Sequence, residues 1–195
     1  IDMLSDINSL RESVKTLNTL RESLQPAIGK ASPKDFKPAN LFTKICSLYA
    51  NDFADYKIAA LIAPEAENFI INNYEYVFWI SFLNIVNNAV YWLRSQPINM
   101  NNDSNKSDKN HTSGRRIVFD VQNEIIVIRN NGPKIAEEYL EVIFEYGITT
   151  RKEKNATGLG LSFTKSNLTL NGWDITAENT TEGPSFNIFK QHEAK

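Results

Sequence analysis

The chain has 195 residues, 42% of them apolar and 11% aromatic, enough for one well-filled core or one domain with an appendage. Its 21 basic and 23 acidic residues leave a formal net charge of −2; no global field draws it to nucleic acid or to an anionic membrane, and its apolar content excludes a wholly disordered chain. The single cysteine, Cys46, excludes an intrachain disulfide framework and a multi-cysteine zinc site.

Residues 1–30 read as one helix. Met3, Ile7, Leu10, Val14, Leu17, Leu24 and Ile28 step by fours and threes, apart from Arg21 where another apolar residue would fall. That is the seam of a dimerising or bundle helix, sustained over about four heptads, and it predicts a homodimer through residues 1–28. The chain opens on Ile1 already in helical register, so it reads as a piece of a longer protein. No apolar run reaches the ~18 residues of a membrane span, and no basic-then-apolar leader is present, which predicts a cytoplasmic location. Five Asn-x-Ser/Thr triplets are what chance supplies in an Asn-rich chain.

Pro26, Gly29, Pro33 and Pro38 mark a linker, with its core at 31–38, ahead of a domain over 39–195. A helix is expected over about 39–55; it holds Cys46 in an apolar run, as a buried structural thiol. Two short strands follow at 58–62 and 69–71, with a turn near Pro64. A long helix over about 74–94 is apolar on several faces, the mark of a buried one. Residues 96–114 form a polar, low-complexity loop. It contains His111, which has no assigned role; with His192 near the end of the chain, it suggests no metal centre. A hairpin is expected next, 117–121 and 125–129 about a turn at 122–124. Then come a short helix near 137–145, a loop over 146–160, and a helix over 161–170 stopped by Asn171-Gly172. Strands at 173–178 and 185–189 close the chain. This order predicts an α+β two-layer sandwich, one mixed β-sheet with helices on one face.

Three segments carry candidate chemistry. In the buried helix, Asn84 and Asn88 are four apart and share a face. Their amide oxygens suit Mg²⁺ and its waters, although alone they read more simply as a satisfied polar pair. At a strand end, Asn130-Asn131-Gly132-Pro133 offers an amide that matches the donor and acceptor edge of a base; alone it reads as an ordinary Asn-Gly turn. Finally, Thr157-Gly158-Leu159-Gly160-Leu161-Ser162 opens a helix, where bare backbone N–H groups and the helix dipole favour phosphate. Arg151, Lys152 and Lys154 lie just upstream.

Taken in order, these segments resemble the nucleotide-binding domain of the GHKL superfamily (the Bergerat fold), which includes gyrase-type ATPases, MutL-type proteins and histidine kinases. Residues 84–93 are similar to its N box, 127–135 to the first glycine box and 157–162 to the second. Ile143-Phe144-Glu145-Tyr146-Gly147-Ile148-Thr149-Thr150-Arg151 resembles the phenylalanine-containing box before the kinase lid. The resemblance covers about residues 39–190 and implies ATP bound with Mg²⁺ under a lid near 146–160. By match to the motif, Asn88 ligates Mg²⁺, Asn84 is the catalytic residue and supports the triphosphate side, Trp92 lies beside adenine, and Asn130 with Gly132 reads the base. Gly158, Leu159 and Gly160 present backbone to phosphate, aided by Arg151 or Lys154.

Three positions depart from the family pattern. Asn130 replaces an aspartate, Lys134 replaces the second glycine of its box, and Tyr91 stands where kinases carry a basic residue. At Asn84, hydrolysing members carry a glutamate and kinases commonly an asparagine; an amide is no general base at neutral pH. The resemblance therefore implies a histidine-protein-kinase-like phosphotransferase whose phosphoacceptor histidine lies outside this chain, with a response regulator as a further partner. The alternatives are a non-catalytic, ATP-gated dimerisation module and a GHKL ATPase that uses another base.

Overall fold

The long helix Glu75–Ser95 buries its side chains in pairs one turn apart: Val77 and Phe78, Ser81 and Phe82, Ile85 and Val86, Ala89 and Val90, then Leu93. Such a stripe is too wide for a two-helix seam and suits the face of a sheet. The structure, a computed structural model, describes residues 32–95, 114–151 and 156–191. The helix expected over 1–30, most of the polar loop at 96–114, and Lys152, Lys154, His111 and His192 lie outside the described residues. The chain divides into two units at Pro33, and the elements below belong to the second, Lys34–Lys195.

In chain order these are β1 (Lys34–Phe36), α1 (Pro38–Leu48), α2 (Ala50–Tyr56), β2 (Ile58–Ile62), a 3₁₀ turn at Pro64–Ala66, β3 (Ile71–Asn73), α3 (Glu75–Ser95), β4 (Arg115–Gln122), β5 (Ile125–Asn130), α4 (Glu137–Leu140), α5 (Gly160–Thr169), β6 (Trp173–Asn179) and β7 (Pro184–Lys190). Five strands form one sheet in the order β2-β4-β5-β7-β6. The β2–β4 pair is parallel and the other three pairs are antiparallel. The fold is thus α+β, a mixed sheet with helices on one face.

Register explains which face is covered. Ile62 pairs with Phe119, Phe119 with Ile128, Ile128 with Phe186 and Phe186 with Ala177, a continuous apolar row across all five strands. A second row runs Val121, Ile126, Ile188, Ile175. These rows and the buried faces of α1, α3 and α5 form one core. The other face carries Asp120, Arg129, Asn187 and Glu178, linked by an Arg129–Asp120 ion pair at 3.2 Å and an Asn187–Glu178 hydrogen bond at 2.9 Å. This alternation of apolar and polar positions is that of a sheet wet on one side. Phe78 joins the layers: its ring meets Phe36, Phe82 and Trp173 at 5.6, 6.0 and 5.0 Å, each edge-on.

The structure differs from the sequence reading in four places. The expected single helix over 39–55 is two, broken at Tyr49 (φ −104°, ψ 19°), where Leu48 is left exposed. Continuing α1 in one line would carry α2 away from the body, and no Gly or Pro announces the break. Within the proline-marked linker, Lys34–Phe36 is a strand paired antiparallel with β3, because Phe36 finds Phe78. The second early strand is Ile71–Asn73, two residues later than expected. The helix expected over 137–145 keeps one turn, α4, and continues as turns.

The β6–β7 turn presses on the chain just after β5. A Cβ on Gly183 would overlap the Asn130 carbonyl oxygen and come within 2.8 Å of the Gly132 carbonyl oxygen. No helix among the described residues is long and apolar enough to cross a membrane.

Chemical denaturation of three variants tests this packing. Phe78→Ala should cost about 3–5 kcal/mol, whereas Ile80→Ala, at a position 40% exposed, should cost less than about 1 kcal/mol. Gly183→Ala should cost about 1–3 kcal/mol by overpacking against backbone that cannot yield.

Candidate functional site

On β5, Ile126, Ile128 and Asn130 point inward in turn, so the strand ends by setting an amide where the pattern places an apolar side chain. Asn130 is only 6% exposed, opposite Ile117. Its Nδ2 has no hydrogen-bond partner, alone in this among the buried side-chain polar atoms of the described residues. A buried donor left unpaired costs free energy that a ligand or an ordered water offsets. The chain beyond it is held firmly. Asn131 Oδ1 accepts from the Arg116 backbone N–H (2.8 Å), and Asn131 Nδ2 donates to the Gly114 carbonyl (2.9 Å). Asn179 brackets Ile135 in the same way, accepting from its N–H (2.9 Å) and donating to its carbonyl (2.7 Å). Side-chain amides thus replace the ladder partners that the turn gives up.

Asn130 forms part of the wall of a cavity of about 520 Å³ between α3, the β5–α4 segment, β7 and the start of α5. At its other end stand Asn84 and Asn88, on one face of α3. Asn84 Nδ2 donates to the Gly160 carbonyl (2.9 Å) and to Thr164 Oγ1 (3.1 Å), tying α3 to the first turn of α5. That turn has no side-chain cap and no acidic residue, so no side chain competes for its backbone N–H groups and positive dipole end. Gly158 makes the approach to α5 possible. Its φ is +66°, and a Cβ there would overlap the Gly147 carbonyl carbon and come within 2.7 Å of its oxygen. The Gly147 N–H donates to the Gly158 carbonyl (3.3 Å), closing the base of the intervening loop. From that loop Arg151 reaches back to α3. Its Nη2 donates to Asn88 Oδ1, and its guanidinium lies over the Tyr91 ring, 4.5 Å from the centroid.

The cavity is electrostatically one-sided. Lys134 and Arg151 line it, and no Asp or Glu does among the described residues. In a chain with net negative charge, that concentrates positive potential where an anionic ligand would sit. Burial pushes the nearby Tyr49 phenol up, opposed by the Arg151 charge and assisted by Asp52 and Cys46. Burial also pushes the Cys46 thiol up to about 12, which leaves it packed and inert rather than nucleophilic.

Of the residues singled out by sequence, Asn84, Asn88, Trp92, Asn130, Arg151, Gly158 and Gly160 share this wall. Gly132 and Leu159 do not. Gly132 packs beneath it, beside Leu93, Trp92 and the Asn130 amide; Leu159 is the residue just before α5, its carbonyl accepting from Ser162 Oγ (2.9 Å) and the Phe163 N–H (3.0 Å). Lys154 lies outside the described residues. Sequence reasoning missed the apolar wall, where Ile135, Tyr139, Ile143 and Phe186 provide flat, dry surface. It also missed Gly183. Nothing local marks either, since β7 reaches the site only through its pairing with β5.

The residues present fit a purine nucleotide with a divalent cation. The Asn130 carboxamide carries both a donor and an acceptor, the complement of adenine's ring nitrogen and amino group. No cluster of three His, Cys, Asp or Glu exists among the described residues to cage a metal. Asn88 Oδ1, an oxygen already turned to a cation, is of the hard, neutral ligand type that suits Mg²⁺ alongside phosphate and water.

Known proteins share this fold. The catalytic domain of histidine kinase ThkA superposes with a TM-score of 0.61 at 21% identity, over 81% of this chain and 94% of that one. The Acinetobacter baumannii histidine kinase AdeS superposes with a TM-score of 0.58 at 17% identity, over 98% of this chain and 82% of that one. At such identities the likeness speaks to the fold alone. Over 62 residues, 30% of its length, the chain is 39% identical to signal transduction histidine-protein kinase AfsQ2 of Streptomyces coelicolor, and that match spans 12% of the relative. The family model described as "Histidine kinase-, DNA gyrase B-, and HSP90-like ATPase" matches residues 82–193, from the Asn-bearing turns of α3 past the end of β7. With the cavity those residues enclose, the chain belongs to that family.

Proposed function

We propose that this chain is the ATP-binding catalytic part of a histidine-kinase-like protein. It would hold ATP with Mg²⁺ and present the γ-phosphate to a histidine outside the chain. The observation that carries this reading is the sorting of polar groups along one cavity. A buried, unpartnered amide stands at one end, a guanidinium on the Asn88 oxygen stands at the other, and no carboxylate lines the wall among the described residues.

Each residue then has a task. Asn130 reads the base edge, with Ile135, Tyr139 and Phe186 excluding water from its faces. The first turn of α5, bare of acidic residues, meets the phosphates through backbone N–H groups. Asn88 Oδ1 supplies one ligand to Mg²⁺. Asn84 is a tether: it fixes the first turn of α5 against α3 through Gly160 and Thr164, so the groups that meet phosphate are pre-positioned. When bound with Mg²⁺, ATP supplies a transferable γ-phosphoryl group and a charge-neutralised ADP as its leaving group. With no carboxylate on the described wall to activate water, the arrangement favours transfer over hydrolysis. Catalysis rests on positioning and charge neutralisation. The acceptor histidine, pairing through residues 1–28, and a response regulator that takes the phosphoryl group onward belong to this proposal.

Calorimetry with ADP and a non-hydrolysable ATP analogue, with and without Mg²⁺, tests it. Asn88→Ala should weaken binding about tenfold or more in Mg²⁺ and little in its absence, the scale of one lost charge-assisted contact. Asn130→Leu should weaken ADP and the ATP analogue alike by about tenfold, with or without Mg²⁺, because both nucleotides share the base. No binding by the wild-type chain at millimolar nucleotide would refute the reading.

A further inference from the structure

Position 91 carries an uncharged ring one turn beyond Asn88, on the helix that bears the proposed metal ligand. That ring is engaged. The Arg151 guanidinium lies over it at 4.5 Å from the centroid, while an Nη2 N–H of the same guanidinium donates to Asn88 Oδ1. Trp92, on the cavity wall, meets Tyr91 edge-on at 4.9 Å and 85° and so fixes the plane of the ring. Arg151 comes from a different segment, the loop whose base closes at Gly147 and Gly158. A long, rotamer-rich side chain on a loop is a poor electrostatic device by itself, because ordering it costs entropy at the moment of use. A flat π-face held in a fixed plane lowers that cost by giving the guanidinium a preferred resting place.

We infer that Tyr91 is a positioning residue that carries the Arg151 guanidinium to the phosphate end of the site, where it contacts the last phosphate of a nucleoside triphosphate. The inference rests on the nucleotide reading above. The charge and the surface that places it are divided between two segments. The ring is borne by α3, and the cation comes from the loop. A divalent ion and a guanidinium cannot share Asn88 Oδ1, so a triphosphate that brings Mg²⁺ to that oxygen frees the Nη2 N–H. The guanidinium, still on the ring, then has a phosphate oxygen beside it to donate to. The base is anchored at the Asn130 end, so the group nearest Asn88 and Arg151 is the distal phosphate. Tyr91 therefore governs the preference for a triphosphate over a diphosphate, while contacts to the base are untouched.

The test is calorimetric titration of the 195-residue chain with Mg²⁺-ADP and a Mg²⁺-bound non-hydrolysable ATP analogue. It compares the wild type, Tyr91→Ala, Tyr91→Phe, Arg151→Ala and the Tyr91→Ala/Arg151→Ala double variant, with circular dichroism to establish that each is folded. Tyr91→Ala should weaken the ATP analogue about fivefold, the scale of one cation–π contact, with ADP changed less than about twofold. Tyr91→Phe, which keeps the ring, should restore the loss. In the Arg151→Ala background, Tyr91→Ala should have no further effect, because the two act as one unit. Equal losses for ADP and the ATP analogue, additive effects of the two substitutions, or an unchanged Tyr91→Ala would each overturn the inference while leaving the nucleotide site standing. Absence of any binding by the wild type would overturn both.

Discussion

The burial of α3 against the inward rows of the sheet governs the rest of the molecule. The helix hides paired side chains from Val77 to Leu93, and they meet the apolar rows crossing β2, β4, β5, β7 and β6, with α1 and α5 alongside. Once that face is docked, the azimuth of every other residue on α3 is set. Asn84 and Asn88 are brought to the open side, toward α5 and the loop before it, as a by-product of where Phe78, Phe82 and Ile85 must go. The inward rows in turn place Asn130 on the same side of the sheet as the helix. Site and core are therefore two parts of one packing solution, and polar groups survive at its margin because the apolar centre holds them in register.

Local signals were the most legible. The β4–β5 hairpin, the start and stop of α5 and the paired asparagines of α3 could all be read within a few residues of themselves, since periodicity, turn chemistry and helix spacing act at short range. Even there the detail had a surprise: the β4–β5 turn places Asn123 and Glu124 at positive φ, 50° and 65°, a demand that Asn meets more readily than Glu. What stayed hidden depended on distant partners. Phe36 becomes part of a strand because Phe78 lies across from it, and α1 bends at Tyr49 although no breaker residue stands there. The apolar wall supplied by β7 and the pressure of Gly183 on the Asn130 turn come from pairing between segments far apart in the chain. The lone interior amide at the end of β5 was legible as a candidate; its lack of a partner was not, because satisfaction is a property of the whole surroundings.

The distribution of charge follows a similar division of labour. Acidic side chains serve the outer face and the rim, in pairs such as the half-exposed Lys165–Asp174, which solvent screens, and Arg129–Asp120, whose carboxylate is buried. The cavity keeps its cations and excludes carboxylates among the described residues. A single acidic side chain placed there would pair with Arg151 and remove the one-sidedness on which anion recognition depends.

The contact between Gly147 and Gly158 has a consequence for how such a protein diversifies. Backbone touches backbone at that point, with no side chain between them, and the Gly147 N–H closes a hydrogen bond to the Gly158 carbonyl. The entropy of bringing the loop ends together is settled at the stem, independently of what the loop contains. Chain-closure cost grows only slowly with length, by about 0.6 kcal/mol for each doubling. Insertions or deletions between the two glycines are thus nearly neutral for folding while they change what stands over the cavity. The stem works as a graft point, a place where new recognition can be tried without renegotiating the core.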